Sequence, residues 1–141
     1  MEKVKAIMTR EPICCRPETS LQEAAKLMCD FNCGEIPVVD DANRPVGVIT
    51  DRDITCRATA EGKNALEMKA ADCMTSPCIT VTPETSLEEC CKVLEEHQIR
   101  RVPVVDQDGK CCGIVAQADI VLNTSSGKAA EVLKEISKAY D

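Results

Sequence analysis

The sequence predicts an α+β fold built from two similar β-α-β-β-α units. Three observations predict it: an internal repeat, apolar stripes at helical spacing, and short apolar runs bounded by turn residues. Residues 8–54 align without a gap with residues 74–120, and 17 of the 47 aligned pairs are identical. A fixed offset over this length is typical of a duplicated structural unit, so each element predicted in one copy is predicted in the other.

Each copy opens with a short extended piece, at 12–15 or 78–82, followed by a Pro-Glu-Thr-Ser turn. The serine that ends this turn stands three residues before a glutamate, which is the spacing of a capping box and predicts a helix start. Apolar side chains then recur at helical spacing. They are Leu21, Ala24, Ala25, Leu27 and Met28 in the first copy and Leu87, Cys90, Cys91, Val93 and Leu94 in the second.

The second half of each copy predicts a hairpin and another helix. The runs "IPVVD" and "VPVVD" are typical of short buried strands, and the returning strands are predicted at 45–50 and 111–116. Asp108-Gly109 is a strong hairpin signal between the last two strands. Helices are predicted at 51–60 and from 117 onward. Because a unit of about 50 residues cannot cover its sheet alone, we expect the two sheets to pack together.

The repeat also predicts the organisation of the chain. We predict a first repeat with its N-terminal lead-in at 1–57, a connector at 58–73 and a second repeat at 74–127. Residues 128–141 form a candidate amphipathic helical tail, because their apolar residues share one side of a helix.

Composition excludes several classes of function. The net charge of −7 argues against a nucleic-acid-binding protein, which would carry a basic face. Phe31 and Tyr140 are the only aromatic residues, so no stacking platform for single strands is predicted. No apolar run approaches the roughly 20 residues of a membrane span, and the N-terminus lacks a signal-peptide core. We therefore expect a cytoplasmic protein with neither a membrane nor a nucleic-acid partner.

Eleven cysteines are many for 141 residues. Their odd number, without a secretion signal, argues against a disulfide framework, and none has the paired CxxC spacing of a zinc site. Cys90 and Cys91 align with Ala24 and Ala25, which indicates small buried apolar residues, although redox sensing by an exposed cysteine stays open. Neither metal ligands nor catalytic residues are predicted, since no second motif converges on His97.

The run Thr50-Asp-Arg-Asp53 has two interpretations. Thr50 and Asp53 have the spacing of a helix cap. The same hydroxyl and carboxylate can bind a ribose and its phosphate, with Arg52 supplying positive charge. In the second copy Ala116 replaces Thr50 but Asp119 is retained. We interpret Asp119 as having no capping role once the hydroxyl is lost, which favours the ribose contact. The alternative is that Asp119 stabilises the helix start through the helix dipole.

These features together resemble the CBS-domain family, in which two tandem motifs form a Bateman module. The motifs that carry the resemblance are the "MT" lead-in, "PETSL", "IPVVD" and the run from Gly47 to Asp53, and the match covers residues 4–122. The resemblance implies two CBS repeats packed through their sheets with pseudo-two-fold symmetry. It also implies a stand-alone, non-enzymatic regulatory pair that binds an adenosyl ligand (AMP, ADP, ATP, NAD or S-adenosylmethionine) in clefts between the copies and signals to a separate partner.

The resemblance further implies two unequal clefts, the first with a full ribose signature and an acidic Glu35, the second with arginines. The implied ligand residues are Ile13, Cys14, Glu35, Ile36, Pro37, Thr50, Arg52 and Asp53 in the first copy, and Ile79, Thr80, Arg100, Arg101, Val102, Pro103 and Asp119 in the second. The apolar members are equally explained as core-strand residues, and the arginines are equally explained as part of a solvated face. We expect a homodimer with the helical faces together. The alternatives are a cysteine-based redox or metal sensor, and a regulatory subunit of an enzyme or transporter encoded elsewhere.

Overall fold

The computed structural model describes residues 2–123, 127, 130, 131 and 134. The predicted helical tail at 128–141 lies, apart from three of its residues, outside the described part of the chain. The chain divides into two compact units. The unit that we call the first-copy unit consists of Pro12–Ile79 and Gln107–Cys111. The second-copy unit consists of the described parts of Met1–Glu11, Thr80–Asp106 and Cys112–Asp141.

The described residues form the predicted α+β fold, with both copies of the repeat present. The strands are β1 Thr9–Arg10, β2 Glu35–Val39, β3 Pro45–Thr50, β4 Arg101–Val105 and β5 Cys111–Ala116. The α-helices are α1 Leu21–Asp30, α2 Asp51–Ile54, α3 Ala70–Cys73, α4 Leu87–His97 and α5 Gln117–Val121. Short 3-10 turns occupy Val4–Ala6 and Ala65–Glu67, and a π-helical turn, Thr55–Thr59, continues α2.

The repeat extends to individual backbone conformations. β3 and β5 have the bounds that the sequence predicted, and α2 with its π-helical continuation covers almost all of the predicted helix at 51–60. Asn43 and Gly109 are aligned in the repeat, and both adopt a left-handed conformation, with φ of 63° and 78°. Glycine takes this conformation without strain and asparagine tolerates it, so each is a suitable turn residue between paired strands.

Each copy builds a small antiparallel hairpin. β2 pairs with β3, with Glu35 opposite Thr50 and Ile36 opposite Ile49. β5 pairs with β4 on one side and with β1 on the other. In the first copy the extended piece before α1 runs parallel to β2, because the Cys15 N–H donates to the Pro37 carbonyl at 3.0 Å.

The lead-in segments are exchanged between the copies. The Val4 N–H donates to the Thr85 carbonyl at 2.8 Å, and its counterpart in the repeat, the Ala70 N–H, donates to the Thr19 carbonyl at 2.8 Å. The lead-in of the first copy therefore belongs to the second-copy unit, and the lead-in at 70–75 belongs to the first-copy unit. The repeat alignment did not indicate this exchange. The predicted domain boundaries follow chain order and stay a prediction.

Each unit has an apolar core of strand and helix residues. Cys90 and Cys91 are buried in the second-copy unit, as their alignment with alanines predicted. The largest fully buried side chains of the second-copy unit are Val4, Leu94, Val102, Val104, Val115 and Ile120. Those of the first-copy unit are Leu21, Ile36, Val38 and Ile49.

Candidate functional site

The centre of the candidate site is the junction between β3 and α2. The Thr50 hydroxyl accepts a hydrogen bond from the Asp53 N–H at 2.9 Å, and the Asp53 carboxylate accepts one from the Thr50 N–H at 3.0 Å. The two residues therefore form a complete capping box, as the cap interpretation predicted. It satisfies two N–H groups that would otherwise lack partners at the helix start.

The Asp53 carboxylate also holds the exchanged lead-in. The Thr75 hydroxyl donates to it, with its oxygen 3.2 Å from Oδ1 and 3.4 Å from Oδ2. The Arg57 guanidinium lies 3.9 Å from Oδ1, and it donates to the carbonyls of Cys73 and Met74 at 3.0 and 2.8 Å. Only 13% of the Asp53 side chain is exposed. The Thr75 hydroxyl and the Arg57 guanidinium compensate the negative charge of its carboxylate.

The second copy corrects the interpretation of Asp119. Its carboxylate accepts a hydrogen bond from the Ala116 N–H at 2.8 Å. The expectation that Asp119 loses its capping role together with the threonine hydroxyl is therefore wrong, because the carboxylate caps the backbone without it. Retention of this aspartate in both copies consequently does not distinguish a ribose contact from a cap.

The structure brings the predicted ligand residues of the first copy onto adjacent elements of one unit. Glu35 lies opposite Thr50 in the hairpin, and the segment with Ile13 and Cys14 leads into the pairing with β2. Cys14 and Ile13 are partly exposed, whereas Ile36 is completely buried. The core-strand alternative is thus confirmed for Ile36. Pro37 is also buried, and Arg52 is exposed on the first turn of α2.

The predicted residues of the second copy divide between the units. Thr80 and Pro103 lie on adjacent segments of the second-copy unit, where the Val81 N–H donates to the Pro103 carbonyl at 3.1 Å. Arg100 is exposed and Arg101 is partly exposed at the start of β4. Val102 is completely buried, so the core-strand alternative is confirmed there too. Ile79 belongs to the first-copy unit.

Several residues near the junction were missed at the sequence level. Thr75 belongs to the repeated "MT" motif, which was a usable signal, whereas nothing in the sequence marked Arg57. Cys78 was also missed: burial raises the pKa of its thiol to about 12, with the Glu35 charge and the nearby Cys111 adding to the effect. Cys78 and Glu35 therefore share one electrostatic environment in the first-copy unit.

A separate open cavity of about 510 Å³ lies between α1 and α2. It is lined by Met28, Cys29, Cys33, Asp51 and Ile54, among others. No predicted ligand residue lines it, although Asp51 and Gly34 of its wall are neighbours of Thr50 and Glu35 in the chain. We therefore distinguish it from the candidate site at the junction.

The described residues contain neither a metal-binding cluster nor a membrane-spanning helix. Among them, no group of three or more His, Cys, Asp and Glu side chains has a geometry that could hold a metal ion. Within the same part of the chain, no helix has the length and apolarity needed to cross a membrane.

Comparison with known proteins places this geometry in a family. The model of the CBS domain matches residues 4–57 and 70–126. The chain is 38% identical to the CBS domain-containing protein YhcV of Bacillus subtilis over 130 residues, which is 92% of this chain and 91% of that protein. The chain therefore belongs to the CBS-domain family, and it contains two copies of the domain.

Solved structures with a similar fold include ligand-bound members. The CBS domain pair of protein MJ0100, in complex with 5′-methylthioadenosine and S-adenosyl-L-methionine, has a TM-score of 0.80 at 31% identity and covers 91% of this chain and 98% of that one. CBSX2 in complex with AMP has a TM-score of 0.76 at 30% identity, covering 95% and 99%. Hypoxic Response Protein I, with two coordinated zinc ions, has a TM-score of 0.81 at 31% identity, covering 88% and 100%.

Proposed function

We propose that this chain is a non-enzymatic regulatory module that binds an adenosyl nucleotide at the junction between β3 and α2. The similarity to a CBS pair bound to S-adenosylmethionine and methylthioadenosine supports it, as does the similarity to one bound to AMP. Those ligands share an adenosine group, so the part of the ligand to be recognised here is the adenine and ribose. The same similarity supports a regulatory rather than a catalytic role.

The observation that carries the proposal is the position of the Asp53 carboxylate. An ionised carboxylate has about four lone-pair positions. The Thr50 N–H takes one of them, and the single Thr75 hydroxyl proton takes one more. Capping therefore leaves acceptor capacity for the two hydroxyls of a ribose, and the cap and ribose interpretations are compatible. The cap also fixes the carboxylate before ligand arrives, which lowers the entropic cost of binding.

The surroundings of Asp53 fit an adenosine group. The partly exposed Ile13 and Cys14 offer an apolar edge for a purine in a chain that has almost no aromatic residues. Glu35 opposite Thr50 adds negative charge, which disfavours a polyphosphate in the first copy. In the second copy Arg100 and Arg101 favour a charged phosphate group. We propose that the first copy prefers the ligands with the lowest negative charge.

The test is a thermal-shift titration of the full chain with AMP, ADP, ATP, NAD and S-adenosylmethionine, and with GTP as a control. Ligand at about 100 times its Kd adds about 2.7 kcal/mol to the free energy of unfolding. For a chain of this size we expect Tm to rise by roughly 5–10 °C. Asp53→Asn should remove the rise, because a neutral amide offers one acceptor oxygen instead of two.

Asp72→Asn is a matched control for the loss of a cap. The Asp72 carboxylate accepts from the Lys69 N–H at 2.8 Å, the same interaction at the start of α3, and Asp72 is not a predicted ligand residue. Both variants should have a lower baseline Tm, but only Asp53→Asn should lose the ligand response. An equal ligand response in the two variants, or no response of the unmodified chain to any adenosyl compound, would sink the proposal.

The proposed module acts on other proteins through a change in conformation. A ligand shifts such an equilibrium only through its different affinities for the two states. We further propose a homodimer, a separate effector protein and a cytoplasmic location. Light scattering of the purified chain with and without ligand tests the dimer: a monomeric mass at micromolar concentration would contradict it.

A further inference from the structure

The open cavity between α1 and α2 has an apolar floor and a polar rim. Its volume of about 510 Å³ is within the range of small-molecule sites. Met28 in the floor is buried, and Ala25 and Ile54 beside it are half-buried. The rim consists of exposed residues, which are Cys29, Asn32, Asp51 and Thr55. A small molecule with an apolar body and a polar end therefore fits the cavity.

The charge of the rim favours a cation. Among the described residues that line the cavity, Asp51 has the only charged side chain, and its Oδ1 accepts the Arg52 N–H at 2.8 Å. The C-terminal end of α1 forms another wall, and a helix C-terminus carries a partial negative charge. The last turn of α1 contains no basic residue that would compensate this charge. The helix end and the carboxylate therefore favour the same sign of ligand charge.

Gly34 leaves the space that the Asp51 carboxylate occupies. The Asp51 N–H donates to the Gly34 carbonyl at 3.0 Å, which joins the start of α2 to the segment after α1. A Cβ on Gly34 would lie only 3.2 Å from Oδ2 of Asp51. The backbone of Gly34 is not in the left-handed conformation, so its own φ does not require a glycine. The close approach of the carboxylate is the reason for a glycine here.

The second copy has basic residues at the aligned positions. Arg100 aligns with Gly34. The Gln117 N–H donates to the Arg100 carbonyl at 2.8 Å, which repeats the backbone contact described for the first copy. His97, in the last turn of α4, aligns with an aromatic residue of the first copy. The second copy therefore has its own cationic side chain after its first long helix, whereas the first copy has a glycine beside a carboxylate.

We propose that the cavity between α1 and α2 binds a small organic cation with an apolar body, such as a protonated arylalkylamine. The ammonium group binds the Asp51 carboxylate, and the apolar body covers Met28 and Ile54. The Thr55 hydroxyl donates to the Asp51 carbonyl at 3.1 Å, so its oxygen can accept a further ammonium proton. This site is separate from the junction between β3 and α2, and it does not rest on the proposed nucleotide function.

Cys29 and Cys33 can report on occupancy, because both line the cavity and neither is buried. The reduced full chain is treated with iodoacetamide, which is uncharged, and peptide mass spectrometry measures the alkylation rate of each cysteine. We expect phenylbutylamine at about twice its Kd to slow the alkylation of Cys29 by about threefold. Phenylbutanol and phenylbutyrate have the same apolar body without the positive charge, so they should slow it much less. Cys56 is exposed outside the cavity lining, and its rate should not change.

Two pairs of variants test the residues of the site. Asp51→Asn should raise the Kd of phenylbutylamine by about threefold, since the amide retains an acceptor for the Arg52 N–H but has no charge. Asp30→Asn is the matched control, because it removes a carboxylate from the end of α1 but outside the cavity lining. Gly34→Arg introduces the residue of the second copy and should abolish the protection of Cys29. Gly34→Ala, which adds only a methyl group, should retain most of it.

Three results would overturn the proposal. Equal protection by the amine and the alcohol would show that the cavity has no preference for a cation. Equal Kd values in Asp51→Asn and Asp30→Asn would exclude Asp51 from the site. Protection of Cys29 that needs no amine and rises with protein concentration would show that a second copy of the chain covers the cavity. The comparison of the three probes uses the unmodified chain, so it decides even if a variant does not fold.

Discussion

The Thr75 hydroxyl donates a hydrogen bond to the Asp53 carboxylate at 3.2 Å, although the two residues belong to different copies of the repeat. The contact joins the exchanged lead-in to the start of α2. It also orients the carboxylate to which we assign the ribose, so stability and ligand binding depend on the same atoms.

Replacing Thr75 with valine should therefore affect both properties. The loss of a hydrogen bond to a mostly buried carboxylate costs about 1–2 kcal/mol of unfolding free energy, which urea denaturation measures. Thr59→Val is the control, since Thr59 is an exposed threonine at the end of the π-helical turn. Equal urea midpoints for the two variants would show that the contact of Thr75 with Asp53 contributes nothing to the free energy of unfolding.

The glycines of β3 and β5 should differ in their tolerance of a methyl group. A Cβ on Gly47 would lie 2.6 Å from the Thr75 carbonyl oxygen, which is backbone. A Cβ on Gly113 would meet the flexible Met8 sulfur at 2.7 Å and the Thr9 carbonyl oxygen only at 3.0 Å. We expect Gly47→Ala to destabilise the fold by about 1–3 kcal/mol and Gly113→Ala by less. Thermal melts of both variants check the order, and the reverse order would contradict it.

Stability at acid pH should depend on Glu84. Lys3 and Lys5 lie 2.6 and 2.9 Å from its carboxylate, and their hydrogen bonds lower its pKa from 4.5 to about 2. Because the folded-state pKa is depressed, this contribution is present above pH 4.5 and is lost as pH falls towards 2. Glu84→Gln should flatten the pH dependence of Tm in that window, at low salt more than at high salt. Glu96→Gln, at an exposed position, serves as the control. It should leave unchanged the pH-dependent contribution to Tm from the contacts of Glu84 with Lys3 and Lys5.

Stability at alkaline pH should depend on the buried cysteines. Burial raises the pKa of the Cys90 thiol from 9.0 to about 12. A raised folded-state pKa gives a contribution that is complete below pH 9 and is lost as pH rises towards 12. Cys90→Ala introduces the residue found at the aligned position, Ala24. It should lower the free energy of unfolding by about 1 kcal/mol at neutral pH, but it should also weaken the fall of this free energy between pH 9 and pH 12. An alkaline decline of unchanged steepness in this variant would contradict the assignment.

Much of the fold could be predicted because the sequence signals of each element occur in both copies of the repeat. β3 and β5 were predicted with the observed bounds, since a turn, an apolar run and a helix cap delimit each of them. The exchange of the lead-ins could not be predicted, because chain order says nothing about which copy a short segment joins. The packing of the two sheets and the domain boundaries stay predictions.

The location of the candidate site could be predicted from the sequence, but the hydrogen bonds of its residues could be predicted only in part. The spacing of Thr50 and Asp53 correctly predicted the cap. The error at Asp119 came from treating the hydroxyl as necessary, whereas a carboxylate alone can accept the N–H of its cap residue.

The exchanged lead-ins also determine when the chain can fold during synthesis. Val4 needs Thr85, so the first lead-in must wait until the beginning of the second copy has been translated. The first-copy unit in turn requires Gln107–Cys111, which the ribosome adds later still. A gene cut between the two copies would therefore produce two halves that each lack a part supplied by the other. We expect such halves to fold only when they are produced together.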